Sequence, residues 1–242
     1  MTDYLPLPGT PIEELDTPCI IVELDVAERN IAKLQSAANE MGVDVRPHSK
    51  TNKSPYWVRK QIEAGAIGVC CAKVGEAEVM VEAGVSDVMI PNQVIGKNKI
   101  ARLVALARSA NIIVAVEDSR NVDDLSDASV AAGAELGVII EVNVGMNRCG
   151  VDGNGAVELA KQIDAAPGLR FDGLMGYEGH TVAERDYEVR KTEAEKAMGI
   201  LIGAADQIRG SGIDIEIVSA AGTGTYNISG RVPGVTELQC GS

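Results

Sequence analysis

The residues most able to do chemistry sit where apolar runs end. In VDVRPHSKTNKSP, residues 43–55, an apolar run closes on Pro47, and His48 and Lys50 follow at once. A lysine hung from a strand end into an apolar cavity is desolvated, which lowers its pKa and frees its amine for Schiff-base chemistry. The alternative is a solvated loop lysine. In VSAAGTGTY, Gly222, Thr223, Gly224 and Thr225 open a new segment with backbone N–H groups and hydroxyls, the makings of a phosphate cup or of a simple tight turn. Two other runs also finish on polar groups: EVNVGMNRCG delivers Arg148, and FDGLMGYEGH delivers Tyr177 and His180. Taken singly, these are equally a surface ion pair, a rim tyrosine and a loop histidine.

Residues so widely spaced can meet only if the intervening elements bring strand ends together. Short β-rich runs cover residues 18–23, 43–47, 67–71, 87–90, 112–116, 136–142, 169–173 and 213–218. Between them lie stretches such as 26–41, 75–83, 97–110 and 183–209, whose apolar residues recur every three or four positions. IEAGAIGVCC, VEAGVSDVMI and VAAGAELGVII each run helix, glycine, strand, with Gly65, Gly84 and Gly133 where a helix favours a left-handed residue. Eight successive βα units with continuous apolar strands predict a closed parallel (β/α)8 TIM barrel rather than an open doubly wound sheet. The tail VPGVTELQCGS supplies no evident helix behind the eighth run.

Composition narrows the partners. The 242 residues are 45% hydrophobic and 24% charged, with one Phe and one Trp, so the core is aliphatic. A net charge of -13 argues against nucleic acid or an anionic membrane surface, because both demand a basic footprint. The N-terminal stretch has neither a basic start nor an apolar signal region, and no apolar run is long enough to span a bilayer, so a cytoplasmic protein is expected. Five cysteines without a CxxC pair read as reduced core residues. A small-molecule ligand remains.

In a barrel of this kind the active face lies at the C-terminal strand ends, and phosphate commonly binds beyond the last strands. With Lys50 past the expected second strand and the GTGT turn past the eighth, a reactive lysine faces a phosphate site, which suggests pyridoxal phosphate. Arg148 could then bond the cofactor's phenolic oxygen, Tyr177 could pack on its ring, and His180 could move protons near neutral pH. Both histidines, His48 and His180, fall at strand ends on this one face.

The chain resembles the fold-type III pyridoxal phosphate enzymes, and most of all the D-threonine aldolase and D-serine dehydratase branch of the alanine racemase-like barrels. The resemblance rests on DTPCIIVELD, RPHSKTNKSP, GVCCAKVGEAEVM, VGMNRCGV, GYEGH, AAGTGTY and PGVTELQCGS. It implies residues 1–15 as an N-terminal extension and 16–242 as the cofactor-binding barrel. It implies Lys50 as the Schiff-base lysine, Arg148 at the phenolic oxygen, Tyr177 on the ring and Gly222, Thr223 and Gly224 at the phosphate, with His48 beside the cofactor and His180 as a candidate base.

The same resemblance implies a C-terminal β-domain beyond Ser242. That domain would bring the ligands of a divalent Mn2+, Mg2+ or Zn2+ and complete the site in a homodimer; no metal ligand is assigned within residues 1–242. The implied reaction is retro-aldol cleavage of a D-3-hydroxy amino acid to glycine and an aldehyde. The alternatives are a D-serine or 3-hydroxyaspartate dehydratase and a non-catalytic protein of pyridoxal phosphate homeostasis.

Overall fold

The computed structural model describes residues 5–241, which wind eight parallel strands and eight α-helices into a ring. In order these are α1 (Leu24–Met41), β1 (Asp44–Val45), α2 (Pro55–Glu63), β2 (Val69–Cys70), α3 (Val74–Glu82), β3 (Asp87–Gln93), α4 (Lys97–Leu106) and β4 (Asn111–Val116). Then come α5 (Ser119–Ala132), β5 (Leu136–Glu141), α6 (Gly153–Ala165), β6 (Leu169–Gly176), α7 (Tyr187–Gly210), β7 (Ile217–Ala220), α8 (Tyr226–Ser229) and β8 (Glu237–Leu238). The sheet runs β1-β8-β7-β6-β5-β4-β3-β2. Three bonds close it: Ile67 N–H to Val45 O at 3.0 Å, Cys70 N–H to Pro47 O at 2.9 Å and Ser49 N–H to Cys70 O at 2.8 Å.

The barrel is the one expected, but the strand count is displaced by one. The apolar run 18–23 forms no strand; Ile20 is 94% exposed, because no neighbouring strand among the described residues receives it. Its place in the ring falls to β8, in the tail for which no helix was expected, where Asp44 and Val45 register with Glu237 and Leu238. Lys50 therefore follows the first strand, Arg148 the fifth, Tyr177 the sixth and the GTGT turn the seventh. Gly65, Gly84 and Gly133 end their helices with φ of 119°, 90° and 61°, as the helix-glycine-strand echo requires.

Strands of this ring bury both faces, and two clusters result. The larger lies between strands and helices; the smaller, Cys70, Met89, Ile113, Ala115, Ile139 and Met175, alternates with it along the same strands and so faces inward. Towards the strands' N-terminal ends the interior turns ionic. Arg46 pairs with Glu237 and Asp87, Asn111 donates to Asp87 at 2.9 Å, and Arg170 reaches both Asp172 and Asn111. Gly137 leaves room for this layer, since a Cβ there would collide with the Asp172 carboxylate.

Candidate active site at the barrel mouth

Six of the eight expected site residues meet at the C-terminal mouth. His48, Lys50, Arg148, Tyr177, Gly222 and Thr223 line a hollow of about 100 Å³. A second hollow of about 260 Å³ shares His48, Lys50 and Arg148 with it and extends to Gln93, Glu141 and Cys149. Lys50 Nζ and Arg148 Cζ stand 5.8 and 5.7 Å from the centroid of the Tyr177 ring. Gly224 lies one residue beyond the hollow in the same turn, against Val182. His180 is exposed and sits over Gly145, outside the lining of the hollow.

Local structure explains why these groups converge. Ser49 anchors the turn after β1, its N–H and hydroxyl both donating to Cys70 O at 2.8 and 3.0 Å. Lys53 N–H donates to Ser49 O at 2.7 Å with φ at +51°, and the Lys53 ammonium meets the buried Glu76 carboxylate at 2.5 Å. Glu76 also accepts the Ala72 N–H at 2.7 Å; against the effect of burial, these donors hold its pKa below the ordinary range. After β7, Ala221 adopts φ +68°, and Thr225 and Tyr226 N–H both return to Gly222 O, which curls the turn towards the mouth.

Burial differs from the sequence expectation at Lys50. Its side chain is exposed rather than sealed, because the mouth is walled by polar groups and opens to solvent in the described chain. His48, by contrast, is buried; burial first and Lys50 second push its pKa down to about 4, leaving a neutral imidazole whose Nδ1 accepts the Lys50 backbone N–H at 3.3 Å. The Tyr177 hydroxyl is pushed up, by burial and then by Glu178. The cysteines divide: Cys70, Cys71 and Cys240 are buried as expected, whereas Cys19 is exposed and Cys149 half-buried.

The sequence reading missed Gln93, Glu141 and Gln239. Glu141 closes β5 facing inward, accepts from Gln93 Nε2 at 2.5 Å and lies 3.8 Å from Arg148; burial raises its pKa. With Glu117 and Cys149 it forms the group of potential metal-binding atoms found among the described residues. Its position directly before VNVGMNRCG, at the end of an apolar run, was the available signal. No helix of the described residues is long and apolar enough to cross a membrane.

Comparison with known proteins identifies the fold and the family. The family description "Alanine racemase, N-terminal domain" matches residues 22–242. The chain is similar to a D-threonine aldolase of Arthrobacter, 39% identical over 97% of this chain and 62% of that protein. It is likewise similar to a 3-hydroxy-D-aspartate aldolase of Paracoccus denitrificans, 40% identical over 99% of this chain and 63% of that one. The crystal structure of D-threonine aldolase from Filomicrobium marinum superposes with a TM-score of 0.92 at 43% identity, covering 94% of this chain and 62% of that chain. The chain thus spans somewhat less than two thirds of the length of the relatives it matches.

Proposed function

The chain belongs to the alanine racemase N-terminal-domain family of fold-type III pyridoxal phosphate enzymes, and we propose from that premise that residues 16–242 are the cofactor-binding barrel of a lyase. Its reaction is cleavage of a D-3-hydroxy amino acid to glycine and an aldehyde. The observation that carries this reading is the convergence of Lys50 and Arg148 on one Tyr177 ring, 5.8 and 5.7 Å from its centroid, beside the Gly222 turn.

The residues present fit the cofactor. A Cβ on Gly222 would stand 3.1 Å from Tyr177 Cε2 and 3.4 Å from its hydroxyl, so bare backbone keeps a slot open between turn and ring. Lys50 would hold the aldehyde carbon, Arg148 the phenolic oxygen, Tyr177 the ring face, and Gly222, Thr223 and Gly224 the phosphate. Bound there, pyridoxal phosphate supplies an electron sink for the substrate's Cα.

The chain's own contribution is placement and proton control. Neutral His48 accepts the Lys50 N–H and fixes the turn from below without adding a cation. The Lys53–Glu76 pair ties the far end of that turn to the base of α3. His180, at the rim, is the candidate to take the proton of the substrate β-hydroxyl as a general base. A divalent Mn2+, Mg2+ or Zn2+ at that oxygen would make the proton easier to remove, with ligands supplied from a segment C-terminal to the barrel. A homodimer fits the exposed apolar run of Ile20, Ile21 and Val22, which calls for cover.

The test is product analysis with the purified full-length protein, pyridoxal phosphate and Mn2+ or Mg2+. Glycine and an aldehyde from D-threonine or a D-3-hydroxyaspartate support the aldolase reading. Ammonia and a keto acid replace it with a dehydratase; cofactor binding without turnover replaces it with a homeostasis role.

A further inference from the structure

A chain of hydrogen bonds runs inside the barrel from the ionic layer to the mouth. Arg46 Nε donates to Glu237 Oε1 and Oε2 at 3.3 and 3.1 Å; Ser219 Oγ meets Glu237 Oε1 at 2.7 Å; Gln239 Nε2 meets Ser219 Oγ at 2.8 Å. Arg46, Glu237 and Ser219 are buried, and Gln239 lines the mouth hollow.

The direction of every bond follows from which groups can donate. A guanidinium only donates, and a carboxylate only accepts. Ser219 has one O–H, and Glu237 takes it. Ser219 Oγ can then only accept from Gln239, so the amide must turn its NH2 inward. That nitrogen also lies 3.9 Å from Met89 Sδ, deep in the interior. With its NH2 turned inward, Gln239, which lines the hollow, has its carbonyl oxygen left to offer there.

We propose that Arg46, Glu237 and Ser219 are positioning residues that lock the Gln239 amide so that the mouth receives a fixed acceptor oxygen on the side between Lys50 and the Gly222 turn. The placement follows from topology, since β8 lies between β7, which leads to Gly222, and β1, which leads to Lys50. The floor therefore selects a ligand edge that carries a donor N–H and discriminates against one that presents a lone pair. The identity of that ligand rests on the cofactor reading above; the orientation of the amide does not.

Glu237→Gln inverts the chain without touching the hollow. The new side chain keeps an oxygen for Arg46 and turns its NH2 towards Ser219, whose O–H must then seek Gln239; the amide flips and shows the mouth a donor. In NMR spectra of the cofactor-free protein, the Gln239 side-chain NH2, assigned by its loss in Gln239→Glu, is expected to be protected from exchange in the wild type and to lose that protection in Glu237→Gln. With pyridoxal phosphate bound, the midpoint of its pH-dependent absorption is expected to fall by about one unit, since an acceptor worth about a kcal/mol is exchanged for a donor.

Ser219→Ala, which removes the middle link and leaves the ion pair intact, is expected to abolish the same protection, and serves where Glu237→Gln folds poorly. An unprotected amide in the wild type, or unchanged protection in Ser219→Ala, overturns the proposal. Protection lost as expected in a protein that takes up no pyridoxal phosphate upholds the relay and removes the cofactor reading instead.

Discussion

Arg46 Nε lies 3.1 Å from Glu237 Oε2, joining the first and last strands of the ring through two charges that water scarcely reaches. Burial alone would disfavour both ions. Glu237 and Asp87 nevertheless hold the Arg46 guanidinium above its ordinary pKa, whereas burial leaves the Glu237 carboxyl raised even beside its partner. The pair is therefore costly to break and not especially stabilising to have.

Glu237→Ala should lower the unfolding free energy by about 3–5 kcal/mol, because it removes one of the two carboxylates paired with a buried guanidinium. The double replacement Arg46→Met with Glu237→Leu should recover most of that loss. Urea denaturation of the three proteins measures both quantities. A single variant within about 1 kcal/mol of wild type would mean that Arg46 finds water or that Asp87 alone suffices.

Lys50→Ala should abolish the visible absorption that the reconstituted protein shows when the cofactor is held covalently. Because the side chain is exposed, stability should change by no more than about 0.5 kcal/mol. The spectrum and the melting curve thus separate a lost tether from a lost fold. An unchanged spectrum would assign the covalent link to another amine.

Gly222→Ala sets a methyl group 3.1 Å from Tyr177 Cε2, narrowing the slot between turn and ring. Pyridoxal phosphate affinity should fall about tenfold, or about 1.4 kcal/mol. Gly199→Ala is the matched control, since a Cβ there meets nothing within 4 Å and α7 is interior helix at that point. Helix propensity should make it about 0.5–1 kcal/mol more stable. Equal affinity losses in both variants would detach the effect from the slot.

Much of the mouth was legible because polar residues that follow apolar runs mark strand ends. Lys50, Arg148, Tyr177 and Gly222 could be found that way, each from its own stretch. The register around the ring could not. CIIVEL has the pattern of a buried strand yet lies exposed, and the strand that fills the ring is two residues long, Glu237 and Leu238, with its carboxylate pointing into an ion pair. An inward charge looks like a loop in one dimension, since only its partner across the barrel makes it tolerable. Gln93, Glu141 and Gln239 escaped for the same reason. The exposure of Lys50 was illegible because dryness depends on whatever covers the mouth, and strand ends say nothing of that.

His48 makes the stability of the barrel sensitive to acid in a defined window. Its pKa falls from 6.5 to about 4 on folding, so above pH 6.5 neither state carries the proton and nothing is lost. Between pH 6.5 and 4 the unfolded chain binds a proton that the folded chain refuses, and stability must drop as pH falls. Below pH 4 both states are protonated and the loss levels off, at on the order of 3 kcal/mol. Buried Glu237, Glu141 and Asp172, whose carboxyls are raised, act with the opposite sign, and Glu76, which is lowered, adds to the loss; the total profile mixes all of them. His48→Asn isolates the histidine, because its side-chain oxygen can replace Nδ1 as acceptor of the Lys50 N–H while the amide does not titrate. The difference between the wild-type and variant unfolding free energies should therefore be flat above pH 6.5, change by roughly 1.4 kcal/mol per pH unit between pH 6.5 and 4, and level off below. A difference that stays constant from pH 7 to pH 4 would mean that the imidazole reaches solvent and titrates normally.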